Sequence, residues 1–154
     1  MEDIRNLWPF SDGPSEAVSI YEGPEEFLQD FGQVSRARQI AFAAFWFQAE
    51  VLNGGLVQFF SNDTGVLAPE AAVACREVGL PNLASHLEQS MAWFGQPYPR
   101  DRSAREHALE AYADTHPDSD GPFEDLDDLV VSDIYDEGSG LEQAAINHIQ
   151  SLGS

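Results

Sequence analysis

The chain has 154 residues, and its 27 Asp and Glu against 7 basic residues give a formal net charge of −20. Its 43% share of hydrophobic residues is enough for the core of one domain. Such an acidic chain repels phosphate, so we expect no direct binding of nucleic acid. Its longest strongly apolar run, 40–47, is far shorter than the roughly 18 residues of a membrane span, so we expect no membrane insertion.

The first 13 residues are predicted to form an extended N-terminal arm, followed by a single helical domain over 14–154. Proline suits the first turn of a helix because its missing N–H needs no partner there. Pro14 and Pro24 therefore predict two short helices, over 14–21 and 24–31.

The strongest helical signal lies over 36–52. Ser35 is a candidate N-cap, and apolar residues recur at helical spacing from Ile40 to Val51. Because the apolar stripe is wide, this helix is predicted to lie at the centre of the domain. The Asn-Gly-Gly at 53–55 accepts positive φ, so we expect the helix to end there.

Five further helices are predicted downstream, each bounded by glycine or proline. They span 69–79, 81–94, 101–113, 122–135 and 141–152. On their inner faces we expect, among others, Ala104, Leu129 and His148. No strong strand pattern appears, so the predicted fold class is all-α: a single compact domain of about seven helices around a central hydrophobic helix.

Negative charge is unevenly distributed along the chain. The net charge is −6 over residues 1–50, −2 over 51–100 and −12 over 101–154. After Arg105 there is no Lys or Arg, while 13 carboxylates follow between Glu106 and Glu142. General solubility or salt adaptation predicts acid throughout the chain, so the regional distribution favours a surface that binds a basic partner.

Sequence signals for catalysis are absent. The chain has no Gly-x-Ser-x-Gly, no His-Glu-x-x-His, no cysteine pair and no Gly-rich loop that ends in Lys. The one cysteine, Cys75, lies among small apolar residues and is predicted to be a core residue, not a reactive thiol. We therefore expect a protein that is not an enzyme and needs no cofactor. With one cysteine and no signal-peptide pattern at its start, it is expected in the cytoplasm.

One loop partly resembles a calcium-binding loop. On the twelve-position pattern, 116–127 places Asp118 and Asp120 at positions three and five. Position one, however, is His116, and the last position is Asp127, whose side chain is shorter than that of the usual Glu. We therefore expect no metal site and interpret the segment as an ordinary interhelical loop.

A polar and glycine-rich motif follows the central apolar stretch. Glu50 and Asn53 are one helical turn apart, as are Gln58 and Asn62, so these side chains can bond one another and the backbone around the glycine pair. We interpret the group as structural and not catalytic. The motif residues are Glu50, Asn53, Gly54, Gly55, Gln58, Phe59, Phe60, Asn62 and Gly65.

This motif resembles the signature of a bacterial all-helical family, otherwise uncharacterised, that includes DNA-mimic proteins. A looser likeness extends over 71–79, 83–94 and 123–152. The resemblance implies an all-helical fold and binding to a basic DNA-binding protein, such as a transcription regulator, in place of DNA. The motif itself supports the fold, whereas mimicry would depend on the arrangement of surface carboxylates.

The C-terminal third carries enough charge for such mimicry. Its 13 carboxylates in 37 residues, laid on two adjacent helices, give about one charge per 2 Å, against about 1.7 Å for duplex DNA. The candidate partner-binding residues are Glu106, Glu110, Asp114, Asp118, Asp120, Glu124, Asp125, Asp127, Asp128, Asp133, Asp136 and Glu137.

Three functions remain open. The first is a DNA mimic that occupies the DNA-binding surface of a basic protein and competes with DNA. The second is an acidic interaction or immunity-type module that binds another basic protein without such competition. The third is an enzyme without a recognised motif or a salt-adapted housekeeping domain, although salt adaptation predicts acid throughout the chain. The first two functions are compatible with a homodimer.

Overall fold

The computed structural model describes residues 18–152, and within that range the fold is all-α, as predicted. The predicted arm over 1–13 lies outside the described residues. The elements are α1 (Pro24–Gln33), α2 (Arg36–Ser61), a short 3-10 helix (Asp63–Leu67), α3 (Ala68–Glu77), α4 (Pro81–Ala92), α5 (Arg102–Thr115), α6 (Glu124–Asp136) and α7 (Leu141–Leu152).

Helix α2 lies at the centre of the domain, as its apolar run predicts. Ser35 caps it, because the Ser35 hydroxyl oxygen accepts the Arg38 N–H at 3.3 Å. Phe42 and Phe47 are at most 1% exposed. By length and composition α2 is apolar enough to span a membrane. Half of its most apolar stretch is buried inside the protein, however, as in the core helix of a globular domain.

The glycine pair breaks α2 without ending it. Gly54 (φ −151°, ψ 17°) and Gly55 (φ 78°, ψ −174°) leave helical geometry, and helical turns then continue to Ser61. The sequence prediction was right about the break and wrong about the segment after it. The reason is tertiary packing: Leu56 and Phe59, just beyond the break, are completely buried, and burial stabilises a helical segment too short to form alone.

The remaining helices enclose α2. Helices α3, α5, α6 and α7 pack against it, and α4 packs against α3 and α6. The two acidic helices are α5 and α6. In addition to α2, α5 packs on the 3-10 helix, and α6 packs on α4 and α7. Neither acidic helix therefore packs mainly on the other, although a charge spacing of about 2 Å requires them to lie side by side.

Some inner-face predictions were wrong by one position. Ala104 is exposed, and the buried residue of α5 is Arg105. Leu129 is 46% exposed, whereas the neighbouring Val130 is buried. Because each residue turns a helix by about 100°, a shift of one position is enough to move a side chain from the inner face to the exposed side of the helix. His148 is partly buried and contacts a carboxylate, as expected of a structural histidine.

The helix predicted over 14–21 is also not confirmed. Most of it lies outside the described residues, and the described part, 18–21, is not helical. Val18 and Ile20 are buried there, and the Ser19 N–H donates to the Asp30 carboxylate at 3.1 Å. A bond to a distant side chain thus replaces the local hydrogen bond of a helix.

Candidate partner-binding surface and polar lock

The predicted partner-binding residues form two groups once they are placed on the fold. Eight of the carboxylates are exposed, on α5, on the loop that follows it and on α6. No ion pair joins any of these eight to a basic side chain within residues 18–152. We call the eight the acidic surface: Glu110, Asp114, Asp118, Asp120, Glu124, Asp125, Asp128 and Asp136.

Glu106 and Asp133 are paired within the domain. Glu106 lies 2.5 Å from the Arg102 guanidinium, one helical turn earlier. Asp133 lies 2.5 Å from Nδ1 of His86 on α4, and its side chain is only 17% exposed. Because a partner would have to displace these existing contacts, both residues are poorer candidates for binding than the acidic surface.

Glu137 and Asp127 are acceptors at helix starts. Glu137 accepts the N–H groups of Asn82 and Leu83, at the beginning of α4, at 2.9 and 2.7 Å. Asp127 Oδ1 accepts the N–H of Leu56, the first residue after the break in α2, at 2.7 Å. Helix starts leave unpaired N–H groups and favour negative charge. These two carboxylates therefore stabilise the fold.

Asp127 also explains why the break requires glycine. A Cβ built on Gly55 would lie 3.1 Å from Asp127 Oδ1, and the positive φ of Gly55 disfavours any other residue. Burial outweighs the hydrogen bond from Leu56 and raises the pKa of the Asp127 carboxyl, and the nearby charge of Asp128 acts in the same direction. The motif side chains were expected to bond the backbone at the break and Asp127 to bind a partner, so the bond from the Leu56 N–H to Asp127 corrects both expectations.

The four polar side chains of the motif form the expected hydrogen bonds. Glu50 Oε2 accepts from Asn62 Nδ2 at 2.7 Å and from Gln58 Nε2 at 3.4 Å, and Asn53 Nδ2 donates to Gln58 Oε1 at 3.2 Å. A Cβ on Gly54 would lie only 2.0 Å from Gln58 Oε1. The group, which we call the polar lock, therefore joins the two segments of α2 and needs glycine at position 54.

Arg105 connects the acidic third to this region. Its side chain is completely buried, and the guanidinium donates to the carbonyls of Phe60 at 2.9 Å, Asn62 at 3.0 Å, Pro99 at 3.1 Å and Arg100. Burial lowers the pKa of Arg105, but the carbonyls satisfy its donors. Arg105 thus anchors the start of α5 to the end of α2.

The packing around Arg105 accounts for another motif glycine. A Cβ on Gly65 would lie 2.7 Å from Arg105 Nε. The inner face expected for α5 does not include Arg105. Its spacing to Leu109 and Tyr112, four and seven residues on, would have placed it on their side of α5.

Other arginines are neutralised by carboxylates. The four side chains concerned form ion pairs at 2.5 to 3.0 Å, so little positive charge faces outward from the middle of the chain. The pairs are Arg36–Glu77, Arg76–Glu88, Arg100–Glu70 and Arg102–Asp63.

Neither a metal site nor a reactive thiol is formed by residues 18–152. Within this range no group of three or more His, Cys, Asp or Glu side chains is arranged to hold a metal ion. In the loop that partly resembles a calcium site, the last residue, Asp127, bonds to α2. Cys75 is completely buried, and burial raises the pKa of its thiol, with a smaller contribution from the charge of Glu137. Such a thiol is inert.

These features define a class of protein: an all-helical domain with a broken central helix, a polar lock across the break and exposed carboxylates in its last third. The chain belongs to the DMP19-like protein family, whose sequence model matches residues 32–151. This range includes the polar lock and the whole acidic surface. No curated protein and no solved structure matches the chain.

Proposed function

We propose that this protein is a DNA mimic. Its acidic surface binds the DNA-binding face of a basic protein, such as a transcription regulator, and competes with DNA for that face. It acts by binding and not by catalysis, without a cofactor, in the cytoplasm. The observation that carries the proposal is a set of eight exposed carboxylates in a region with no Lys or Arg after Arg105.

The number of exposed charges limits how much of DNA the surface can imitate. Thirteen carboxylates on two adjacent helices give about one charge per 2 Å, but only eight of the predicted carboxylates are exposed, and the two acidic helices pack mainly on other elements. The exposed charges are therefore sparser than the phosphates of duplex DNA, which follow one another at about 1.7 Å, and the proposal rests on their exposure and on the lack of a nearby cation. A homodimer would present a second row of charge.

The proposed interaction is electrostatic and therefore sensitive to salt. Exposed charges lose most of their attraction beyond a Debye length, which is about 8 Å at physiological ionic strength. We expect the complex to form fast at low salt and to weaken steeply as salt rises. This behaviour also gives a way to find the partner: capture from a bacterial lysate on the immobilised protein, with elution by a salt gradient.

The test is a competition titration with a captured basic protein and a labelled DNA duplex that it binds. We expect the acidic protein to release the duplex in proportion to the complex that it forms with the captured protein. A ternary complex, in which DNA stays bound while the acidic protein also binds, would contradict mimicry. That result would support the alternative, an interaction module that uses another face of its partner.

A further inference from the structure

One face of α6 is exposed and carries both apolar and charged side chains. Leu129 is 46% exposed and Tyr135 is 40% exposed. Asp125, Asp128 and Asp136, which belong to the acidic surface, are exposed on the same helix. At about 100° per residue, these five side chains fall within about 120° of arc, opposite the buried side of the helix. Single exposed apolar residues are normal, but two that share a face with three carboxylates form a surface of defined chemistry, which we call the α6 face.

The apolar and acidic side chains of the α6 face lie on two diagonals that cross. Leu129, Ser132 and Tyr135 follow one another at intervals of three residues, whereas Asp128, Ser132 and Asp136 follow at intervals of four. On a helix surface these two spacings form ridges of opposite tilt. The ridges cross at Ser132, which is exposed and small, so a partner can approach closely between the two apolar side chains.

Such a surface fits a second helix. Helices pack by laying the side chains of one between the ridges of the other. A helix that follows the apolar diagonal would place apolar side chains on Leu129 and Tyr135, with Asp128 on one side and Asp136 on the other. Lys or Arg on both flanks of its apolar stripe would meet these carboxylates, and their aliphatic stems would add apolar contact.

The Tyr135 end of the apolar diagonal opens into a cavity of about 400 Å³, within the roughly 300 to 1,000 Å³ of ligand sites. The cavity lies between the end of α6 and the start of α7, and Ile134 and Ser139 are also in its wall. It gives room for a partner side chain beyond the last turn of α6.

Charge distinguishes a basic partner from a second copy of this chain. Two α6 faces in contact would bring three carboxylates of each copy together without a nearby Lys or Arg, since the sequence has none after Arg105. Like charges opposed across an interface are unfavourable. Lys and Arg of a basic protein would instead neutralise these carboxylates, so charge complementarity favours the basic partner.

We infer that the α6 face binds an amphipathic helix of a basic protein, whose apolar stripe packs on Leu129 and Tyr135. Its flanking Lys and Arg side chains pair with Asp125, Asp128 and Asp136. The inference rests on the proposed function, which supplies the basic partner, and it adds a contact that salt does not screen. A row of phosphates offers no such contact, so binding here depends on more than the imitation of charge.

The binding experiment uses the full chain and a fluorescent peptide of leucine and lysine, about 18 residues long so that it can form a helix. In the striped peptide the leucines recur at helical spacing and form one face; in the control peptide the same residues follow an order that forms no stripe. Both peptides carry the same charge. By fluorescence anisotropy at physiological salt, we expect the striped peptide to bind at least about tenfold more tightly. Equal affinities would overturn the inference.

Leu129→Glu separates apolar contact from charge. The variant adds a negative charge, so attraction between charges alone predicts tighter binding of the striped peptide. We expect binding about tenfold weaker, because an apolar contact is lost. Glutamate is a good helix former, so the exposed position tolerates it. Val73→Glu, at a residue of α3 that is 56% exposed, is the matched control and should stay within about twofold of the parent.

Two results with Leu129→Glu would overturn the inference. One is binding of the striped peptide as tight as that of Val73→Glu. The other is a parent chain that sediments as a dimer and becomes a monomer in Leu129→Glu, since the α6 face would then bind a second copy.

Salt separates the two kinds of contact. Between about 50 and 500 mM salt, screening should weaken binding by the parent and by Tyr135→Ala by the same factor, because the variant keeps every carboxylate. At each salt concentration Tyr135→Ala should bind several-fold more weakly than the parent. Asp128→Asn with Asp136→Asn should instead make the dependence on salt less steep. Equal affinities of Tyr135→Ala and the parent throughout this range would overturn the role of Tyr135.

The failure of this inference is distinguishable from that of the proposed function. If the protein displaces DNA from a captured basic protein and the striped peptide binds no better than the control peptide, only the role of the α6 face is wrong. If binding of the striped peptide requires Leu129 and DNA is never displaced, only the mimicry is wrong.

Discussion

The middle of the chain and its last third use carboxylates differently. Between residues 51 and 100 the net charge is only −2, and each of the four acids there lies in an ion pair with an arginine. After Arg105 there is no Lys or Arg, so among the predicted partner-binding acids only Glu106 pairs with an arginine, Arg102; three others bond to backbone N–H groups or a histidine, and eight have no basic partner within the described chain. Composition thus marks a charged region, but tertiary contacts decide which of its charges stay exposed.

Substitution of Arg105, which joins the acidic last third to the middle of the chain, should have the largest effect on stability. Arg105→Leu leaves four buried carbonyls without their donor, so we expect a loss of about 3 to 5 kcal/mol in the free energy of unfolding. Urea denaturation measures it. The exposed Arg102→Gln serves as the control and should cost at most about 1 kcal/mol. A loss below about 1 kcal/mol for Arg105→Leu would contradict its role as the anchor of α5.

Two neighbouring acids of α6 separate carboxylates that stabilise the fold from carboxylates that are only exposed. Asp127→Ala removes the acceptor for the Leu56 N–H and should cost about 1 to 2 kcal/mol, as loss of a helix cap does. Asp128→Ala makes the same change in charge at an exposed position and should stay within about 0.5 kcal/mol of the parent. Chemical denaturation of both variants compares them. Equal losses would show that the Asp127 bond does not hold the break.

Acid titration tests the paired acids of the middle region. The hydrogen bond from Arg36 lowers the pKa of Glu77, and His148 adds to this effect. A lowered folded pKa gives stability that is present above the ordinary value of 4.5 and is lost as the pH falls through the lower folded value. We expect this loss to be about 1 kcal/mol or less, since the pair is partly exposed. Denaturation of the parent and of Glu77→Gln should diverge above pH 4.5 and converge in stronger acid; parallel curves would contradict the assignment.

Calcium should have the smallest effect. The loop over 116–127 lacks a first carboxylate, and its last one is bound to α2. Millimolar Ca²⁺ should therefore change the melting temperature by less than about 1 °C. A larger rise that disappears in Asp118→Ala would establish a metal site in the loop.

Local signals in the sequence account for much of the fold. Proline at the start of α4 and glycine before α7 place both helices where they were predicted, because these residues act through their own backbone geometry. The continuation of α2 beyond Gly55 could not be predicted in this way, because it depends on burial of Leu56 and Phe59 by the rest of the domain.

The site was predictable as a region and not residue by residue. The absence of cations after Arg105 is visible in the sequence, and it located the acidic surface. Asp127 and Asp128 look alike in the sequence, yet one bonds to the backbone 71 residues away and the other is exposed. Only the packing of α6 against α2 separates them. From the sequence, Glu70 and Glu77 in the nearly neutral middle would be chosen as controls for the loss of surface charge. Both are ion-paired, so their neutralisation would also remove a contact within the fold.

Competition between two charge-matched variants tests the central claim most directly. One variant carries Asp125→Asn, Asp128→Asn and Asp136→Asn on α6; the other carries Glu22→Gln, Glu25→Gln and Glu26→Gln, exposed acids at the start of α1. Each loses three negative charges and keeps Asp127. In titrations that displace labelled duplex from a captured basic protein, the account predicts at least about a tenfold loss for the first and less than about threefold for the second. Equal losses would show that total charge, and not the acidic surface, determines binding.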